Sequence, residues 1–582
     1  MSAESPPDTV KYPQDLDDRA EYPGMVRWFS PLVLVKIARK AIDAALFGQD
    51  ADRRLIHAAL DIASDDDIKS RCDFSTLLKR GPDGAVWIDY VADLGDGFDS
   101  TYAIAYLLGQ KSLKIEGVDA ALPRGQALIM GGDQVYPDAT RADYKKRFLR
   151  PYAFAFPDTT EEGADHPPLF LIPGNHDWYD GLVLFLAMFC RGRETKVGSW
   201  RAGEHQRRSY FAISLPDNWW IWGFDSQLGE DIDEPQARYF VSVARNCMGE
   251  SPKIIICAPV PTWLRAELTA KNAAEREKFY RGLNYMALDI ASKNCKDPRI
   301  CAVLSGDLHH YSRYSSHPVG RGAAPKDPAS SCQFITAGGG GAFLHPTHQL
   351  GESMKMGWTG RTHDLSLETT PGEEHKPAPG APACYPDRRT SRLLLFRNLG
   401  FPVVNFSFCL ALGAVYWLIA MLLMVWQGDA LLHPAAHGRQ WAGAIFRSIA
   451  ASPMLWFIFP VLVAALWKYA DARTAAGRWA LGIGHAAVHM AIILALVSLL
   501  PLANAWILAH TPLGGWLPGW FMPSTLSFFF LFAIEMILIG GILGGIVWGL
   551  YLLLTCGIAG IHDNDAFSAM RLGRYRHFLQ HA

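Results

Sequence analysis

The ten cysteines include no C-x-x-C pair and follow no regular spacing, which excludes a disulfide scaffold and suits a reducing compartment. A basic surplus is missing too: 55 Lys and Arg against 57 Asp and Glu leave a net charge of −2. A generic nucleic-acid binder must neutralise a run of phosphates, so no nucleic-acid partner is expected. The opening stretch MSAESPPDTVKYPQDLDD is polar and acidic and lacks the apolar core of a cleaved signal peptide. No internal repeat is present. Charge itself is scarce, at 19 % of 582 residues against 50 % hydrophobic. The length allows several domains, and the imbalance indicates that part of the chain is not in water.

That part begins near residue 400. The Pro/Gly/Glu-rich stretch TTPGEEHKPAPGAPACYPDRR reads as exposed linker. After it come four apolar segments, 401–426, 448–467, 480–508 and 525–558, each near or above the ~20 residues that cross a bilayer. Arg388, Arg389, Arg392 and Arg397 precede the first, Lys468, Arg473 and Arg478 separate the second from the third, and Arg571, Arg574 and Arg576 follow the fourth. The other two loops hold only Arg439 and Arg447. The positive-inside rule therefore places both termini and the preceding domain in the cytoplasm, with membrane lipids as partners. Gly540 with Gly544 and Gly541 with Gly545 have the small-xxx-small spacing of close helix packing. His485 and His489 share one helix face and Glu535 lies within the fourth segment; such groups hold a cofactor or ion, or bond one another within the packing.

The first 400 residues alternate strands with helices. AVWIDYVADLGDG, QALIMGGDQVYP and PLFLIPGNHDWYDG each run from apolar β-formers into a Gly/Asp loop and then a helical pattern. In a layered α/β fold, polar residues at strand C-termini converge on one rim, where metals and ligands bind.

Asp93 in ADLGDG, Asp133 in GGDQVYP, the run Gly174-Asn175-His176-Asp177, and GDLHH with Asp307 and His309 occur in the order found in the calcineurin-like metallophosphoesterases, a superfamily that this sequence resembles over residues 84–350. The resemblance implies an α/β domain, an αββα sandwich, hydrolysing a phosphomonoester or phosphodiester with water activated by two metal ions. It implies Asp133 as bridging carboxylate, Asn175 as a neutral oxygen ligand, His309 as an imidazole ligand and His176 as donor to the ester, with Asp177 orienting that imidazole.

The departures carry information. Asp93-Leu94-Gly95 lacks the histidine of the usual D-x-H, and Tyr136 stands three residues after Asp133. Both resemble purple acid phosphatases, whose tyrosine binds ferric iron, so Tyr136 is a candidate ligand, or else a loop residue packed before Pro137. In KIIICAPVP, Cys257 stands where H-x-P is usual, and Asp307 replaces the first histidine of G-H-x-H. A second metal would thus see Asp133, Asn175, Cys257 and Asp307. Both replacements can coordinate, which favours a rebuilt site over a decayed one. Cys257 is ligand or buried apolar residue; as thiolate it favours zinc or iron, and otherwise manganese or magnesium fits.

Around this set, His310, Arg313, and His345 and His348 at the end of FITAGGGGAFLHPTH are candidate substrate contacts, the four glycines otherwise marking a tight turn. Trp219, Trp220 and Trp222 read as core strand residues. The segment MVRWFSPLVLVKIARKAIDAALFG, with Arg27, Lys36, Arg39 and Lys40, reads as a helix lying on the membrane face or docked on the catalytic domain. The expected layout is an N-terminal helical region (1–83), the phosphoesterase domain (84–350), a linker (351–399), an all-α four-span membrane domain (400–560) and a cytoplasmic tail (561–582), in which His562, Asp563 and Asp565 could pack back onto the soluble domain. The whole resembles a membrane-associated subgroup of the superfamily. The expected function is membrane-anchored hydrolysis of phosphoesters, including lipid-borne ones. The alternatives are a phosphoesterase-like sensor without turnover and a transporter or channel regulated by that domain.

Overall fold

The computed structural model describes residues 22–47, 64–115, 118, 120–159, 165–226, 232–318, 331–369, 381–432, 440–512 and 526–582. The chain divides into two compact units. Met1–Val26, Ile37–Ser391 and Arg571–Ala582 form the first, and Arg27–Lys36 and Arg392–Met570 the second.

The first unit is mixed α/β. Strands β1 (Ile88–Val91), β2 (Ala127–Met130) and β3 (Pro168–Leu171) run parallel and side by side. Every residue of β1 and β2 is buried, so β2 reads as an unbroken apolar run, while β1 buries Asp89 among apolar residues. A second sheet is built on four parallel strands, β4 (Trp219–Gly223), β5 (Lys253–Ala258), β6 (Arg299–Ser305) and β7 (Gln333–Ala337), with antiparallel strands added at both ends.

Period-two alternation sorts the side chains into layers. Tyr90, Ile129 and Phe170 of the first sheet share one buried cluster with Ile221, Ile255 and Leu304 of the second. Val91, Leu128 and Leu169 face helices instead, meeting Ile104, Tyr144 and Phe148. On the other sheet, Trp220, Trp222 and Ile254 pack with Phe240, Trp263 and Met286, so the tryptophans are core residues.

Two boundaries differ from the sequence expectation. Residues 351–399 are not all linker: Ser353–Trp358 and Arg361–Leu367 pair as an antiparallel hairpin within the second sheet. The Pro/Gly-rich part, 370–380, lies outside the described residues. The segment 561–582 is not a loose tail. It forms a helix, Asp563–Met570, in the second unit, and then strand β8 (Leu579–His581), which pairs antiparallel with β1 at the edge of the first sheet.

The second unit is helical. Three of its helices are long and apolar enough to cross a membrane: Phe406–Met424, Ala475–Ile507 and Phe529–Ala559. The second expected span, 448–467, is shorter. Ser452 caps a new helix at Pro453 and splits the segment into Gln440–Ala451 and the 17-residue Pro453–Tyr469, because proline at the first turn starts a helix well and continues one badly. The glycine faces pack as expected: Gly541 and Gly545 lie so close to Cys409 that a Cβ at either would overlap it. The basic-apolar helix spans Pro31–Phe47, and its start belongs to this unit, with Phe29 edge-on to Phe401 and Phe408. His562 also belongs here: its ring stacks on Tyr469, its Nε2 meets the Tyr551 hydroxyl at 3.0 Å, and its Nδ1 meets Asp565 at 2.8 Å. Glu535 accepts from Asn504 at 2.9 Å.

Candidate active site

Parallel strands bring their C-termini to one rim, and the acidic residues of the motifs leave that rim from β1, β2 and β6. Asp93, Asp133 and Asp307 each turn the chain with positive φ, at 60°, 48° and 65°, a conformation that Asp tolerates better than most side chains. Two glycines make the room. A Cβ at Gly174 would lie 2.1 Å from Asp133 Oδ1, and one at Gly338 would lie 2.3 Å from Asp93 Oδ2.

Tyr136 is the hub. Its hydroxyl lies 3.0 Å from Asp93 Oδ1, 3.0 Å from Asp133 Oδ2 and 3.1 Å from His309 Nε2, and all four residues are at most 4 % exposed. His309 Nδ1 sits 2.6 Å from the Phe343 carbonyl, so that nitrogen carries the proton and donates, and Nε2 is an acceptor. Burial holds the imidazole neutral, well below its usual range. Three acceptors therefore surround one hydroxyl that has one proton. Burial, together with their mutual repulsion and that of Asp307, pushes Asp93 and Asp133 up, although each carboxylate accepts a backbone N–H: Asp307 N–H to Asp93 at 2.9 Å and His176 N–H to Asp133 at 2.8 Å.

Such a set is satisfied by extra protons or by a cation. Two carboxylates, a phenol and a neutral imidazole fit a hard or borderline cation. Among the described residues, no group of three His, Cys, Asp or Glu side chains by itself forms a cation cage; here the convergence runs through the phenol.

Asp307 lies on the same rim, but its Oδ2 accepts from Arg265 Nε and Nη2, both at 2.7 Å. Arg265 comes from the helix Thr262–Thr269 that follows β5, and no motif marks it in the sequence. A cation at Asp307 would have to share that carboxylate with a guanidinium. Cys257 stands apart. It is fully buried in the apolar layer between the sheets, where desolvation pushes the thiol far up, so the proposed thiolate ligand is a neutral core residue here.

Asn175 and His176 are partly exposed on the loop after β3. The Asn175 side chain bonds the Tyr179 phenol. His176 Nδ1 lies 3.0 Å from the Pro137 carbonyl, and burial pushes the ring down to about 4. Its Nδ1 thus holds the proton and its Nε2 is an unprotonated acceptor, in place of the expected donor. Asp177 does not orient this ring. Its carboxylate accepts from Gly174 N at 2.9 Å and Tyr144 hydroxyl at 2.5 Å, which braces the loop.

The four outer candidates separate. His345 stacks on His309 at 4.2 Å and its Nδ1 accepts from the His309 N–H at 3.2 Å, so it positions a site residue. His310 is buried, with Nε2 3.4 Å from Ser312 Oγ. His348 Nδ1 lies 2.9 Å from Ser391 Oγ, and Arg313 is in a strand whose backbone bonds Ala383 and Glu368. None of these three joins the rim contacts.

No known protein family matches the chain, and no curated protein matches it. Solved structures do align with it. A purple acid phosphatase from yellow lupin (Lupinus luteus) seeds aligns at 13 % identity and TM-score 0.27, covering 46 % of each chain. A structure of PhoD aligns at 10 % identity and TM-score 0.26, covering 44 % of this chain and 57 % of its own. The aligned part is about half the length of those proteins. Scores this low fix no fold for the present chain, and the functional reading stands on the side chains above.

Proposed function

We propose that the chain is a metal-dependent phosphoester hydrolase anchored in a membrane. The single observation that carries this reading is the convergence of Asp93, Asp133 and His309 Nε2 on the one proton of Tyr136. Those four residues would hold the cation, and the two-sheet layering, read as an αββα sandwich, supplies the rim. A cation held there would neutralise charge on phosphoryl oxygens and would make water more acidic. Arg265, held by Asp307, presents N–H donors to the same oxygens. His176, neutral with Nε2 as acceptor, accepts a hydrogen bond from water or an incoming hydroxyl and orients it. Its neutral state at physiological pH makes it a poor acid for the leaving group.

The binuclear centre stays part of the proposal, with Asp133 between the metals and Asn175 and Asp307 on the second. The Arg265–Asp307 pair favours a second reading, in which one cation suffices or the domain binds a phosphate group without turning it over. The membrane helices support a substrate confined to the bilayer, and the Lys/Arg bias supports a cytoplasmic face.

The test is a panel of soluble phosphomonoesters, phosphodiesters and phospholipids in mixed micelles. It is run on full-length protein loaded with Mn²⁺ or Fe, beside Asp133→Asn and Arg265→Met. The hydrolase reading expects turnover that both substitutions reduce. Bound metal with no turnover of any ester would replace it with the sensor reading.

A further inference from the structure

The second unit has a cavity of about 830 Å³, open where Leu34 and Val35 are exposed, within the range of about 300–1,000 Å³ typical of small-molecule sites. Its lining comes from the apolar helices of this unit and from Pro31, Leu34 and Val35 at the start of Pro31–Phe47, and is almost wholly apolar and aromatic, including Phe408, Phe459, Ile493 and Trp548. Three lining residues carry a polar hydrogen, Trp548 on its indole ring and, as a bonded pair, Tyr416 and His489.

Those two define what the cavity can recognise. The Tyr416 hydroxyl bonds His489 Nδ1. If the imidazole donated, the phenolic proton would be left in an apolar wall, so the satisfied arrangement has Tyr416 donating to Nδ1. Nε2 then carries the hydrogen. His489 is 8 % exposed and its Nε2 has no hydrogen-bond partner among the described residues. A buried N–H without an acceptor is costly, and it faces a chemistry that only a ligand can complete. His485, one turn earlier, lies outside the lining; its ring stacks on Tyr551 at 4.2 Å.

We propose that this cavity binds a membrane-dissolved quinone, with one carbonyl oxygen accepting the His489 Nε2–H and the ring lying against the aromatic wall. Few donors in an apolar chamber select an apolar molecule with well-placed acceptors. Charged headgroups are excluded because nothing charged lines the chamber. The aromatic wall of Phe408, Phe459 and Trp548 favours a flat ring over a saturated chain, since offset and edge contacts between rings add to plain area burial. Entry is from the bilayer, the phase in which such molecules dissolve. This site does not depend on the hydrolase reading.

The experiment uses full-length protein in phosphatidylcholine nanodiscs, with decylubiquinone as probe and protein-free nanodiscs as the partition blank. Binding in excess of the blank should saturate at one equivalent per chain. His489→Phe keeps the ring and removes the N–H, and should weaken binding roughly tenfold, the value of one buried hydrogen bond. Ala486→Phe, which fills the chamber with carbon, should abolish the saturable component. Dodecylbenzene, which has no carbonyl, should not compete. Elution profile and thermal unfolding of each variant identify any that fails to fold, and the competition arm needs only the wild type. Equal binding by wild type and folded His489→Phe, competition by dodecylbenzene at matched concentration, or no binding above the blank would each overturn the proposal, the second by making the chamber a groove for acyl chains.

Discussion

Replacing Tyr136 by Phe removes one oxygen and one proton and leaves the ring in place, so it tests the hub of the site with little change in packing. The hydroxyl is within 3.1 Å of three acceptors, yet it can donate to only one at a time. With the metal chelated, the loss is therefore one hydrogen bond to a buried carboxylate, about 1.5–3 kcal/mol, and not three. With metal present a second term enters. A cation at one hundred times its Kd stabilises the folded chain by about 2.7 kcal/mol, and a tenfold loss of affinity reduces this to about 1.4 kcal/mol. Urea unfolding of full-length protein in detergent, followed by amide exchange in β1 and β2, reads both terms in EDTA and in Mn²⁺. In oxidised, iron-loaded protein the phenolate-to-iron absorption band should be present in the wild type and absent in Tyr136→Phe. A variant with unchanged stability in EDTA and an unchanged increment from metal would make Tyr136 a packing residue and remove the basis of the site.

Three further outcomes are expected. Asp133→Asn should strip metal to background in elemental analysis of the purified protein, and full occupancy would end the bridging assignment. Cys257→Val should leave metal content unchanged and alter stability by less than about 1.5 kcal/mol, as a near-isosteric core change does; metal loss would return Cys257 to the ligand set. Asp89, buried beneath the β1–β8 pairing, accepts from Gly125 N–H at 2.9 Å, but burial raises its carboxyl from 3.8 to about 6. Its folded-state value lies above the unfolded one, so its contribution is full below about pH 4 and lost as pH rises through 6. A shift of about 2 pH units corresponds to roughly 3 kcal/mol. Asp89→Asn should raise stability by up to that amount at pH 8 and by little at pH 3.5, and equal effects at both pH values would contradict the assignment.

Parts of this were legible in the sequence for identifiable reasons. Strands buried on both faces are rich in apolar β-formers, so β1, β2 and β3 and the Gly/Asp loops after them stand out, and with them Asp93, Asp133 and Tyr136. The same property hid Cys257. In a fully apolar strand the phase is silent, yet Cys257 is two residues from Ile255, and both face the layer between the sheets while Ile254 and Ile256 face the helices. Arg265 was not legible at all. It is 42 residues from Asp307 on a short helix whose placement depends on β5 and β6 being neighbours. The hairpin in the expected linker was legible and missed: Ser353–Trp358 follows an alternating burial pattern, and the Gly360 turn has φ 74°, but the Pro/Gly-rich run behind it dominated the reading. Strand β8 is three residues long, too short for any periodic signal.

The replacement of histidine by Asp307 raised the choice between a decayed site and a rebuilt one, and the backbone bears on it. Asp93, Asp133 and Asp307 all lie in the left-handed region, at a cost of about 1–2 kcal/mol each. Two of the three also hold carboxylates that burial pushes towards the protonated form. Strain and desolvation at the same residues need a common compensation, and at this rim that compensation is positive charge. Arg265 provides it to Asp307 by direct contact. Asp93 has the neutral His309 beside it, at 3.6 Å, accepts the Asp307 N–H, and shares Tyr136 with Asp133. A decayed site would keep no reason to hold two desolvated carboxylates on strained backbone around one proton. The geometry is therefore that of a rim whose charge is completed at one end by an arginine and, under the proposed function, at the other by a cation.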